Sequence, residues 1–171
     1  SSTKKILKKC VEAKKPIIIG TTGFSNDDLK EIRDAAKSIP IVLAANMSRG
    51  IFYLKKSLAS FINNNQDKLK CFIEETHHLE KVDKPSGTAI ELKKFIKEHD
   101  DNNFIQDVKI KSNRVANIFG THKIMFCSDS RTVCFSHEAL SRKIFAEGAI
   151  ISAKSIDFNK PNLYSFEDVI N

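Results

Sequence analysis

The sequence predicts an α/β region built on a parallel sheet, joined to an α+β region built on a mixed sheet. Two β-branched runs, "PIIIG" at 16–20 and "IPIVLAAN" at 39–46, enclose a helical pattern, which is the order of a β-α-β crossover. Farther on, three strand-like segments follow one another with little between them, which suits a mixed or antiparallel sheet. At 171 residues and 41% hydrophobic, the chain can bury the core of one fold or two small lobes.

The elements follow in order. Ile6, Leu7, Cys10 and Val11 recur at helical spacing, so Ser1 to Lys15 reads as a helix leading into the strand at 16–20, a run suited to burial on both faces. Ser25 with Asp28 three residues on makes a capping-box start, and Leu29, Ile32, Ala35 and Ala36 line one face of the helix it opens. The strand at 39–46 completes half of a doubly wound, nucleotide-binding type of sheet, whose ligands sit at the carboxyl ends of the strands. Those ends are "GTTGF" (20–24) and "AANMS" (44–48), whose small residues let a flat ligand approach the backbone.

Ile51 to Ile62 is amphipathic, and Leu69, Cys71 and Ile73 alternate with Lys70, Phe72 and Glu74 in a strand that runs into two histidines. Ala89, Leu92, Phe95 and Ile96 mark a helix beginning near Ser86. Strands are expected at 104–110, 114–127 (broken near Gly120) and 131–138, then a helix over about 141–155. Val108, Ile110, Val133 and Phe135 alternate with polar neighbours, which predicts a sheet face too apolar for water and hence self-association.

Composition excludes several classes. Apolar runs are too short to span a membrane and no signal-peptide plan opens the chain, so a cytoplasmic protein is expected. The net charge of +7 is spread along the chain without interleaved aromatics, which reads as a lysine-rich solvated surface and not a nucleic-acid platform. Cysteines 10, 71, 127 and 134 lack CxxC spacing and are expected to be buried, reduced thiols.

The stretch "EETHHLEKVDKPSGTA" (74–89) concentrates the chemistry. On a strand His77 and His78 point to opposite faces and cannot share one metal ion, and His99, His122 and His137 lack ligand spacing, so no metal is expected. Pro85 suits a helix entry, and Ser86, Gly87 and Thr88 offer two hydroxyls and unpaired backbone N–H groups at that helix's start. With the helix dipole and Lys81, this is a cradle for a carboxylate or phosphate beside an imidazole able to move a proton near neutral pH. Ser86 as a plain N-cap is the bland alternative.

These residues resemble the signature of the dihydrodipicolinate reductase family, E-x-H-H-x-x-K-x-D-x-P-S-G-T-A, at every fixed position. "IIIGTTGFS", "VLAANMSRG", "SNRVANIFGTHKIMF", "SHEALSRKIFAEGA" and "NLYSFEDVI" extend the resemblance over essentially the whole chain. It implies reduction of a cyclic unsaturated imine dicarboxylate to tetrahydrodipicolinate, in lysine and diaminopimelate biosynthesis, with NADPH or NADH. Carried over by motif position, His77 is the general acid and Lys81 supplies positive charge to the substrate. His78, Ser86, Gly87, Thr88 and Arg142 match substrate-binding positions. Gly20, Thr21, Thr22, Ala45 and Met47 match positions at the nicotinamide end, Met47 standing where many members carry Phe. The resemblance further implies a homotetramer, a remnant of a Rossmann-type dinucleotide-binding domain over 1–47 and 142–171, and a substrate-binding and tetramerisation domain over 48–141.

Two departures stand out. "RVAN" at 114–117 lacks the family's glycine after Arg-x, so the loop there is expected to be built differently. No G-x-G-x-x-G occurs, the glycines being 20, 23, 50, 87, 120 and 148; the family's pyrophosphate loop is expected upstream of Ser1, and the 171-residue chain alone is expected to be inactive. The competing reading at this point is a truncated or degenerate relative that keeps binding or oligomer contacts without chemistry.

Overall fold

A computed structural model describes residues 2–170. In chain order the elements are α1 (Ser2–Glu12), β1 (Ile17–Ile19), α2 (Asn26–Ala35), β2 (Ile41–Leu43), α3 (Arg49–Asn64), β3 (Leu69–His77) and α4 (Gly87–His99). They continue as β4 (Ile105–Arg114), β5 (Thr121–Cys127), β6 (Thr132–Glu138), α5 (Lys143–Ser155), β7 (Leu163–Tyr164) and α6 (Phe166–Ile170). Two compact units result, Ser1–Arg49 with Lys143–Asn171, and Gly50–Arg142.

The first unit is the predicted parallel sheet. β1 pairs with β2, and β2 with β7, all parallel, in the order β1-β2-β7. Its core joins Leu7, Ile19, Ile32, Ala36, Ile39 and Ile41. The expectation that β1 is buried on both faces needs correction: only Ile19 is buried, Ile17 and Ile18 being half-buried, because among the described residues β1 is an edge strand. The capping box at α2 is present, Asp28 N donating to Ser25 Oγ at 3.2 Å and Ser25 N to Asp28 Oδ2 at 3.0 Å. Strand β7 went unpredicted, since two residues carry no period, yet its pairing places β2 at the centre of the sheet. The expected opening helix runs from Ser2 to Glu12, and Ser1 lies outside the described residues.

The second unit is a four-stranded mixed sheet in the order β4-β3-β5-β6, with β3 parallel to β4 through the α4 crossover and antiparallel to β5. Helices α3 and α4 cover one face. Leu54, Leu58, Leu92 and Ile96 pack there against Cys71, Ile73, Val108, Ile124 and Phe126. Full burial of each large side chain is worth about 1.5–3 kcal/mol, so this layer dominates the unit's stability.

That layer corrects the self-association argument. Val108 and Ile110 of β4 and Phe135 of β6 lie in or against this covered core, so the apolar face is satisfied by the chain's own helices. The opposite face is mixed, with one apolar row in register across Phe72, Met125 and Cys134.

Two further corrections are local. Arg114, expected to open a strand, is the last residue of β4, because its parallel pairing with His77 extends the ladder. Cysteines 71, 127 and 134 alternate in burial with their strands: Cys71 is buried, Cys127 half-buried and Cys134 exposed, while Cys10 on α1 is half-buried; all four are free thiols. Among the described residues no helix is long and apolar enough to cross a membrane.

Candidate active site

Period-two alternation builds the site. The face of β3 that buries Cys71 and Ile73 next presents Glu75 and His77, so the apolar layer becomes polar at the strand's carboxyl end. Register supplies the neighbours. Glu75 lies between Ser112 of β4 and His122 of β5, and His77 lies beside Arg114.

Glu75 is fully buried. Its carboxylate meets His77 Nδ1 in a short contact and accepts from Arg114 Nη1 at 3.0 and 3.1 Å and from Ser86 N at 3.3 Å. A buried, unpaired carboxylate would cost several kcal/mol, so this saturation is what permits the charge. Burial works to raise its pKa, but hydrogen bonds from Ser112, His77 and Arg114 outweigh it and hold the group below the usual carboxylate range. Glu75 is therefore ionised and His77 Nδ1 is the donor. Arg114 also donates to the carbonyls of Lys81 (3.2 Å), Asp83 (2.5 Å) and Asn113 (2.6 Å).

His77 is 7% exposed, and a Cβ added at Gly120 would lie 3.0 Å from its Nε2. Glycine at 120, with φ +156°, keeps that nitrogen uncovered. Burial lowers the His77 pKa, while the Glu75 carboxylate pulls it back up; the net direction is down. His122 stands edge-to-face to it at 5.1 Å between ring centroids, and burial pushes the His122 pKa down to about 3.

Ser86 caps α4, its Oγ accepting from Ala89 N at 3.2 Å and meeting His122 Nε2 at 3.3 Å. Gly87 N donates to Asp83 Oδ2 at 3.1 Å, and Lys81 Nζ donates to Asp83 Oδ1 at 2.6 Å. The expected unpaired N–H groups at Ser86 and Gly87 are thus a correction: Glu75 and Asp83 already accept from them. Thr88 is buried at 5% exposure.

His78 is the first residue beyond β3. Arg142 Nη2 donates to His78 Nε2 at 3.4 Å, and both wall a cleft of about 520 Å³ with Glu80 and the 116–119 loop. The His78 Nδ1 is buried without a hydrogen-bond partner among the described residues. The loop solves its missing glycine with Asn117, which takes φ +62°, a conformation that asparagine tolerates better than most residues. Among the described residues no three potential metal ligands cluster.

The nicotinamide-side candidates lie in the first unit, at the carboxyl ends of β1 and β2. Gly20 and Thr21 are exposed, Thr22 and Ala45 half-buried, and Gly23 turns the loop at φ +77° with nothing within 4 Å of an added Cβ. This open, small-residue backbone fits the flat end of a dinucleotide. Met47 is 4% exposed and packs beneath it, its Cε 3.6 Å from the Cβ position of Gly20.

Sequence reasoning missed Glu75, Arg114, Asp83 and His122. Glu75 was findable from alternation, because it shares a strand face with His77. Asp83, like Glu75, is a fixed position of the 74–89 signature, whereas Arg114 and His122 are joined to the site by strand register.

Comparison with known proteins agrees with this architecture. The dihydrodipicolinate reductase N-terminus family matches residues 1–47 and the dihydrodipicolinate reductase C-terminus family matches residues 50–170. The 4-hydroxy-tetrahydrodipicolinate reductase of Bdellovibrio bacteriovorus is 37% identical over 167 residues, covering 98% of this chain and 71% of that protein. That of Alkaliphilus oremlandii is 34% identical over 184 residues, covering 100% of this chain and 76% of its own. The dipicolinate-bound dihydrodipicolinate reductase from Paenisporosarcina sp. TG-14 superposes with a TM-score of 0.67 at 21% identity, over 94% of this chain and 66% of that one, and supports the fold.

The class so defined is that of the nicotinamide-dependent oxidoreductases. Within it, the chain belongs to the dihydrodipicolinate reductase family, as its histidine-rich signature implied.

Proposed function

We propose that this protein reduces 4-hydroxy-tetrahydrodipicolinate, or the dihydrodipicolinate formed from it, to tetrahydrodipicolinate in lysine and diaminopimelate biosynthesis in the cytoplasm. The observation that supports this reading best is the joining of His77, Lys81 and the start of α4 into one network, in a chain that carries the family signature without a gap.

NADPH or NADH, held by Gly20, Thr21, Thr22 and Ala45 over Met47, would supply a hydride to the electron-poor imine. The remaining work belongs to side chains of the second unit. Lys81, the Gly87 N–H, Thr88, His78 and Arg142 hold the two carboxylates. A carboxylate that engages the Gly87 N–H must take it over from Asp83, whereas the Lys81 ammonium, with three donors, can bridge Asp83 and the substrate. His77 then delivers the proton that completes the reduction. A dianion bound beside it favours the imidazolium, so substrate binding raises a pKa that burial has lowered and loads the acid when it is needed.

The protein acts as a homotetramer assembled through its second sheet, and the uncovered Phe72–Met125–Cys134 row is the part of that sheet suited to the contact. The test of function is oxidation of NADPH or NADH by the protein expressed from its complete reading frame. Oxidation should require the cyclic imine and be competitively inhibited by pyridine-2,6-dicarboxylate; cofactor oxidation indifferent to both compounds contradicts the reading.

A further inference from the structure

We infer that Glu75 and Arg114 act together as the positioning pair of this site, fixing His77 in its Nδ1–H form and tying the Lys81–Asp83 segment to the same buried charge. This deepens the proposed function and rests on His77 being the proton donor.

The geometry carries it. Glu75 has no access to water, so its charge persists only through its partners, and those partners are the parts the reaction needs in register. Its carboxylate receives His77 Nδ1, Ser86 N at the start of α4, and Arg114 Nη1. The same guanidinium binds the carbonyls of Lys81 and Asp83, the two residues that form the ion pair at Gly87. One pair, Glu75 buried and Arg114 half-buried, thereby fixes the donor imidazole, the helix start and the loop bearing the cation.

The pair also assigns the ring nitrogens. An ionised carboxylate accepts and never donates, so Nδ1 carries its hydrogen whether the ring is neutral or charged. The exchangeable proton is left to Nε2, the nitrogen that Gly120 keeps uncovered. When His77 gives up the Nε2 proton it becomes a neutral Nδ1–H imidazole, still held by Glu75, and takes its next proton from solvent at the same atom. The groups facing the ring are Glu75 on its own strand, Arg114 on β4, Lys81 in the following loop and His122 on β5. Of these only Glu75 favours the imidazolium, so its charge offsets burial and three positive or potentially positive neighbours.

The experiment combines nitrogen-15 NMR of the histidine rings with kinetics of Glu75→Gln, Arg114→Met and His77→Gln. In the wild type at high pH, neutral His77 should carry its hydrogen on Nδ1. Glu75→Gln should abolish that preference and move the loss of kcat with rising pH to lower pH, because an acid with a lower pKa is emptied sooner. Affinity for pyridine-2,6-dicarboxylate should change by less than threefold in the Gln variant, whereas Arg114→Met, which frees the Lys81 segment, should weaken it at least tenfold. An Nε2–H tautomer in the wild type overturns the inference even if the variants fail to fold, as does an unaltered pH profile in folded Glu75→Gln. Should His77→Gln keep full turnover while the wild-type ring is Nδ1–H, the proton-donor reading fails and the positioning geometry stands.

Discussion

At the scale of single residues, the site is a set of charges that burial has made interdependent. Dipicolinate binding at pH 7 should be accompanied by net proton uptake, because two carboxylates placed near His77 raise a pKa that lies below its usual value; calorimetry in buffers of different ionisation enthalpy measures this, and proton release would contradict it. Arg142→Met removes a charged hydrogen-bond donor worth about 1.5–3 kcal/mol, so the Kd for dipicolinate should rise roughly 10- to 150-fold with stability unchanged, the side chain being exposed. His122 predicts the pH dependence of folding. Its pKa falls from 6.5 in the unfolded chain to about 3 in the fold, so the unfolded state binds more protons in that interval and stability is lost as pH falls below 6.5. The limiting slope is about 1.4 kcal/mol per pH unit, and denaturant unfolding of His122→Gln should show that much less acid sensitivity near pH 5. His77 and the Ser-Gly-Thr start of α4 were legible in the sequence because the motif is contiguous. Arg114 and His122 were not, since what makes them partners is register across β4, β3 and β5.

At the scale of elements, the two strands of the parallel unit and the capping box of α2 could be read from short-range pattern, while β7 could not, because a two-residue strand is defined only by the partner it finds. The alternation of β3 also decides thiol chemistry. Cys71 lies on the covered face, where burial pushes its pKa up to about 12, and Cys134 lies on the open face of β6. Ellman titration of the native protein at pH 8 should therefore leave Cys71 unreacted until unfolding, while the rate at Cys134 reports whether assembly covers the open face. Helix α5 depends on one glycine. A Cβ at Gly148 would overlap the carbonyl oxygen of Met47, a backbone atom that cannot rotate away. Gly148→Ala should destabilise the first unit by about 2 kcal/mol or more and lower Tm by several degrees, and thermal unfolding with an unchanged Tm would show that α5 can shift at little cost.

At the scale of the whole molecule, the proposed division of labour rests on the two sheet types: a parallel sheet whose loops at 20–24 and 44–48 are open and small, and a mixed sheet whose covered face ends in Glu75 and His77. Self-association does not follow from the alternation of Val108, Ile110 and Phe135, because any buried strand face alternates so, and the packing of α3 and α4 shows that these residues are already covered. If the tetramer uses the other face, Met125→Glu should shift the mass by light scattering to a smaller species, and an unchanged tetramer would place the interface elsewhere. The central claim is that His77 is the proton donor for reduction of a cyclic imine dicarboxylate. The most direct test is steady-state cofactor oxidation by wild type and His77→Gln, expressed from the complete reading frame, with dipicolinate affinity measured alongside. The account predicts a kcat lower by roughly 10²-fold or more in the variant with affinity altered only slightly; turnover within a few-fold of wild type would show that His77 serves the fold and not the reaction.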